Sequence, residues 1–215
     1  MLRDVLSTEL YTILLVICLV IVAITKILFH KRFLDFVMLV VNFRYLKVYS
    51  REHKFFNLFE GLLFTNLIIG LTVFILLGVS LDINLPETDY IVPVILAFGM
   101  SILIIIKVIL ELFVNAVLNM STILNNYIFQ KISYKNFLGL LLIPINAILI
   151  YAWHPTRFNI IIFALLLSFL NLYGILIFIK NNLKIIKKNW FYFILYLCAL
   201  EISPYLVLYK IYTLD

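Results

Sequence analysis

The sequence predicts an all-α fold, a polytopic integral membrane bundle of six transmembrane helices, and three observations predict it. The 215 residues are 65% hydrophobic and only 13% charged, against roughly 45–50% and about 25% in an ordinary soluble domain, and mean hydropathy is +1.15. Apolar runs of bilayer-crossing length recur along the chain. The connections between those runs alternate between basic and acidic or nearly neutral. A soluble fold of this size has too little interior for so much apolar surface, so lipid must be its solvent. Spans and short connections use up almost the whole length, which makes residues 1–215 a single transmembrane domain with no room for a separate soluble one.

The first span covers about residues 10–29, and the basic pair Lys31 and Arg32 follows it where a signal peptide would have a small-residue cleavage site. It therefore reads as a retained anchor. Residues 33–48 are apolar but interrupted by Asp35, Asn42, Arg44 and Lys47. An uninterrupted core of about ten residues is too short to cross, which predicts an interfacial helix with its basic residues at the headgroups, or a re-entrant hairpin. The second span is 58–80, and the third, 91–120, is long enough to tilt or project. A short fourth span at 137–153 contains the kink-prone Pro144; the fifth is 158–179, and the sixth, 190–212, contains Pro204.

Charge sets the expected orientation. Lys31, Arg32, Arg44, Lys47, Arg51 and Lys54 lie in the first connection, Lys131 and Lys135 in the third, and Lys184, Lys187 and Lys188 in the fifth. The second carries Asp82, Glu87 and Asp89 with no Lys or Arg. The positive-inside rule then puts both termini outside the cytoplasm. Trp153 with Tyr151, and Trp190 with Tyr192, stand where interfacial anchors belong. The net charge of +6 reads as contact with anionic lipid, through Lys31, Arg32, Lys184, Lys187 and Lys188, and not as a nucleic-acid surface.

Chemistry is expected where charge is buried in the membrane. Lys107 and Glu111 are one helical turn apart, Asn115 continues the same face, and Glu201 lies near the middle of the sixth span. An ionised side chain there costs at least about 2.5–3.5 kcal/mol, so it turns inward, pairs or loses its charge. Asn66 with Thr65, Asn146 beside Pro144, and Asn171 with Ser168 fall at similar levels, predicting a buried polar cluster. It can serve as interhelical glue, or as a proton- or ion-linked path centred on Glu201. Glu60, at the inner edge of the second span, is expected to reach water. Asn66, Gly70 and Gly78 share a face that would admit a close helix. Cys18 and Cys198 sit singly in apolar runs, and His30, His53 and His154 divide between opposite sides, so neither a metal nor a cofactor is expected. The zinc-peptidase, nucleophile-elbow and phosphate-loop motifs do not occur.

The last span, Trp190–Ile211, reads WFYFILYLCALEISPYLVLYKI. With Phe191, Phe193, Cys198, Glu201 and Pro204 at the matching positions, it resembles the C-terminal signature of an uncharacterised Bacteroidota family of polytopic inner-membrane proteins, a domain of unknown function. The resemblance implies a Gram-negative inner membrane and a helical fold, and it marks Glu201–Pro204 as a family feature. The expectation is a non-enzymatic inner-membrane subunit or assembly factor of a cell-envelope complex. Its partners would be membrane lipids and other envelope proteins, or further copies of itself. The alternative is a small proton- or ion-coupled transporter using Glu201.

Overall fold

The computed structural model describes residues 8–39, 44–49, 57–81, 121–153 and 155–181, together with isolated helical positions between 91 and 113. All regular structure among them is helical: α1 (Thr8–Leu28), α2 (His30–Val37), α3 (Arg44–Tyr49), α4 (Leu58–Val79), α5 (Ser121–Ala147) and α6 (Arg157–Asn181). A π-helical turn, Ile148–Ala152, continues α5. Four stretches are long and apolar enough to cross a membrane: Glu9–Leu28, Leu58–Val79, Tyr127–Ala152 and Arg157–Gly174. The protein is a helical membrane protein, and the sixth expected span lies outside the described residues.

α4 is the central helix. Over half of its apolar window is buried (56%), against 17% for α1 and 11% for α6. In α1 the inward residues Leu15, Cys18 and Thr25, with Val22 partly buried, recur at helical spacing. Ile13, Val16, Ile17, Val20, Ile24 and Ile27 point outward, as apolar residues can when lipid surrounds them. Thr25 and Thr72 are buried and return their hydroxyls to the carbonyls one turn back, Ile21 and Ile68, so neither brings an unmet donor into the interior.

Contacts fix the helix directions. Phe29 near the end of α1 packs on Phe59 near the start of α4, and Tyr11 near the start of α1 packs against the cluster that holds Val73, Phe74 and Leu77, so α1 and α4 are antiparallel. Asn136 reaches the Glu60 carbonyl and Asn146 the Gly70 carbonyl, so α4 and α5 run parallel. Gln130 bonds the Gly174 carbonyl while Trp153 meets Phe163, so α6 returns antiparallel to α5. The C-terminal end of α1, the N-terminal ends of α4 and α5 and the C-terminal end of α6 therefore share one end of the bundle, with α2 and α3.

Two helix boundaries differ from the expected elements. The helix that carries the fourth expected span begins well before 137, since α5 is helical from Ser121. Asn125, Asn126, Gln130, Lys131 and Lys135 lower the hydropathy there, but no Gly or Pro precedes Gly139, so polarity changes while the helix continues. The interfacial stretch is two short helices. α2 closes with Met38 N–H bonding Leu34 O and Leu39 N–H bonding Phe36 O, and Val40, Val41 and Asn42, all poor helix formers, precede α3. α5 passes through Pro144 unbroken, as membrane helices tolerate. The helix widens only at the π turn, where Trp153 N–H bonds Ile148 O at 2.8 Å.

Small residues set the α4–α5 spacing. A Cβ on Gly70 would meet Leu142 Cβ at 3.2 Å, and one on Gly139 would fall 2.7 Å from Leu67 Cα. Asn66 and Asn146 are both fully buried, and the Asn146 amide donates to Gly70 O at 2.9 Å, a bond that the missing side chain exposes. Gly139→Ala should force the two helices apart and lower stability to denaturant in detergent by about 1–3 kcal/mol. Gly61→Ala, with nothing within 4 Å of the new methyl, should leave it unchanged.

Candidate functional site

The candidate site is where α2 and α3 meet the start of α4. In α2, Arg32, Phe33 and Phe36 face the bundle, while Lys31, Leu34 and Val37 stay exposed. Phe36 packs edge-on against Phe59 at 5.7 Å and Tyr45 at 5.4 Å between ring centres. Tyr45 stacks on Phe129 of α5 at 5.9 Å, nearly parallel. With Leu39, Leu46, Leu63 and Tyr134, these residues make one aromatic-rich core that ties both short helices to α4 and α5.

A charge pair lies in this core. Arg32 Nη2 donates to Glu60 Oε1 at 3.0 Å, with the two side chains 11% and 5% exposed. The Tyr45 hydroxyl donates to the same oxygen at 3.1 Å. Arg32 also places its guanidinium carbon 4.7 Å from the Phe59 ring centre and 4.8 Å from that of Tyr49, so its cation meets aromatic faces on two sides. Glu60 lies in the first turn of α4, where the helix dipole also favours negative charge. Burial raises the Tyr45 hydroxyl above its usual pKa, and the Glu60 charge pushes the same way, so Tyr45 remains a proton donor at neutral pH. Asn136 Nδ2 holds the Glu60 main-chain carbonyl at 3.4 Å. Among the described residues, Glu60 Oε2, Arg32 Nε and Asn136 Oδ1 have no hydrogen-bond partner. Chemically, the arrangement neutralises charge and fixes geometry.

Arg32, expected at lipid headgroups, is instead an interior cation, and Glu60, expected to reach water, is its buried partner. The sequence carried a signal: Arg32 lies one turn before Phe36 on the apolar face of α2, and Glu60 sits among Phe59, Leu62 and Leu63. Position along the chain puts both residues at the edge of a span, whereas their apolar neighbours put them on an inward helix face. Asn66 is fully buried with neither end of its amide hydrogen-bonded among the described residues. Thr65 and Ser168 are exposed and do not join a polar cluster, and Thr65 bonds Gly61 O of its own helix. Asn171 is half-buried beside a cleft between α5 and α6, and Lys107 is half-buried in a helical stretch. Glu111, Asn115, Lys184, Lys187, Lys188, Glu201 and Pro204 lie outside the described residues. Among the described residues, no three His, Cys, Asp or Glu side chains come together as metal ligands.

The sequence model of one protein family, described as Domain of unknown function (DUF4271), matches residues 11–212. No curated protein and no solved structure matches the chain.

Removing one partner of a buried ion pair strands the other charge. Arg32→Ala or Glu60→Ala should each cost about 3–5 kcal/mol in denaturant unfolding of the detergent-solubilised protein. The double variant Arg32→Met with Glu60→Leu, which removes both charges and keeps the volume, should recover most of that loss.

Proposed function

Since the chain belongs to the family described as Domain of unknown function (DUF4271), we propose that it is a six-span inner-membrane protein serving as a non-enzymatic subunit or accessory factor of a cell-envelope complex. The Arg32–Glu60 pair supports this most directly. A carrier needs an end that opens and closes, whereas here a buried charge pair, four aromatic rings and a tyrosine bond tie α2, α3, α4 and α5 together. What this end offers other proteins is a fixed surface.

Six crossings draw support from helix direction. Parallel spans need an odd number of crossings between them, and the apolar run 91–120 between α4 and α5 supplies one. The α2–α3 end is also the end to which the basic connections belong, which favours a cytoplasmic position for it and termini on the far side. The signature-like last span, with Glu201 and Pro204, favours a Gram-negative, Bacteroidota source and its inner membrane.

Mild-detergent purification of the full chain should recover stoichiometric companion proteins, and a protease site fused to the amino terminus should be cut from the periplasmic side of spheroplasts. Recovery of a lone oligomer that moves protons or ions in proteoliposomes, with transport abolished by Glu201→Gln, would replace this function with the carrier. Cleavage from the cytoplasmic side alone would overturn the topology.

A further inference from the structure

Of the four described helices that can cross a membrane, α1 and α6 are the least buried and form the edge of the bundle. Their outward faces differ. Through the middle of α1 that face is aliphatic, with Ile13, Val16, Ile17, Leu19, Val20 and Ile24 exposed, and hydrocarbon satisfies it. α6 is held inward by the buried Leu167 and by Gly174, where a Cβ would fall 2.7 Å from the Tyr134 ring. Outward it presents Phe158, Ile161, Leu165, Ser168 and Leu172, all exposed and spaced alternately by three and four residues. That spacing is the seam along which two membrane helices cross at a shallow angle and interlock.

Ser168 interrupts the seam where a polar group is least tolerated. It stands eleven residues after Arg157 and twelve before Lys180, the exposed charges at the two ends of α6. At 1.5 Å per residue these separations are about 16 and 18 Å, against a hydrocarbon half-thickness of ~15 Å, so Ser168 is close to the midplane. Asn171, half-buried, lies one turn further along the same edge of the face. Neither side chain has a hydrogen-bond partner among the described residues, and acyl chains offer none. A serine can turn back on its own helix. An asparagine amide, with two donors and a carbonyl, needs a neighbouring helix at this depth.

The neighbour must meet donors with acceptors, and acceptors with donors, at the same level. A second copy does so. Hydroxyl and amide each donate and accept, and every copy inserts in one orientation. A two-fold axis along the membrane normal therefore sets Ser168 and Asn171 level with their counterparts. No charged residue lies between Arg157 and Lys180, so pairing two such faces carries no charge into the bilayer. We infer that the protein self-associates as a parallel dimer through α6, with the seam at its centre and the Ser168–Asn171 edge hydrogen-bonded between copies. The dimer needs no companion protein, so it stands whether or not the α2–α3 end recruits one.

Full-length protein labelled in separate batches with donor and acceptor fluorophores, then mixed in liposomes, should show energy transfer, and dilution with lipid gives the dissociation constant. Asn171→Leu should weaken association about tenfold, the loss of two interhelical hydrogen bonds in a symmetric pair. Asn171→Gln, which keeps the amide, should retain it. Leu165→Ala combined with Leu172→Ala, both on the exposed face, should weaken association by a similar factor and decides the matter if Asn171→Leu fails to fold. Val16→Ala combined with Val20→Ala, on the outward face of α1, should change nothing. A benzophenone amino acid in place of the exposed Phe169, irradiated in the cell membrane, should join two copies. No energy transfer, unchanged association in folded Asn171→Leu or in the Leu165/Leu172 variant, or crosslinks from position 169 only to a different protein, would overturn the inference.

Discussion

The α2–α3 end of the bundle depends on one interaction between two charges that the interior would not accept singly. Glu60 is buried in the first turn of α4 and Arg32 reaches it from α2, on the far side of a chain reversal. Each offsets part of the other's desolvation, and aromatic faces around the guanidinium complete its surroundings. Seating Arg32 seats Phe33 and Phe36 with it, since all three lie on the inward face of one short helix. With Phe36 in place, α3 can fold back so that Tyr45 meets both Phe36 and the Glu60 carboxylate. Neither α2, at eight residues, nor α3, at six, would hold as an isolated helix. They persist because the charge pair and the rings hold them.

Deeper in the membrane the forces change. Between α4 and α5 there are no charges to pair among the described residues, and hydrophobic contrast with lipid tails is weak. Close approach at Gly70 and Gly139 takes its place, bringing Asn146 within reach of a main-chain carbonyl on the neighbouring helix. The same protein thus uses electrostatics where water is near and steric fit where it is absent.

How much of this the sequence discloses depends on which property changes at each boundary. α1, α4 and α6 begin and end where hydropathy steps, so residues 10–29, 58–80 and 158–179 come close to the observed helices. The start of α5 is not legible because hydropathy falls at 121–136 while no Gly or Pro marks a break in the helix. Gly70 announced itself by sharing a face with Asn66, but Gly139 and Gly174 belong to no pattern visible in one dimension. Their role is defined by Leu67 and Tyr134, far away in the chain. Arg32 and Glu60 differ from the expectation for a related reason. A charge beside a span is normally a surface charge, and only the partner's position makes it an interior one.

The parallel course of α4 and α5 also has a consequence for biosynthesis. The Asn146–Gly70 bond joins residues 76 positions apart. At roughly 5–20 residues per second, the ribosome needs about 4–15 s to supply the second helix after the first. During that interval α4 resides in the bilayer, or beside the insertion machinery, with its small-residue groove and the Asn66 amide uncovered. The central element of the finished bundle is therefore the one that waits longest for the neighbour that fits its groove.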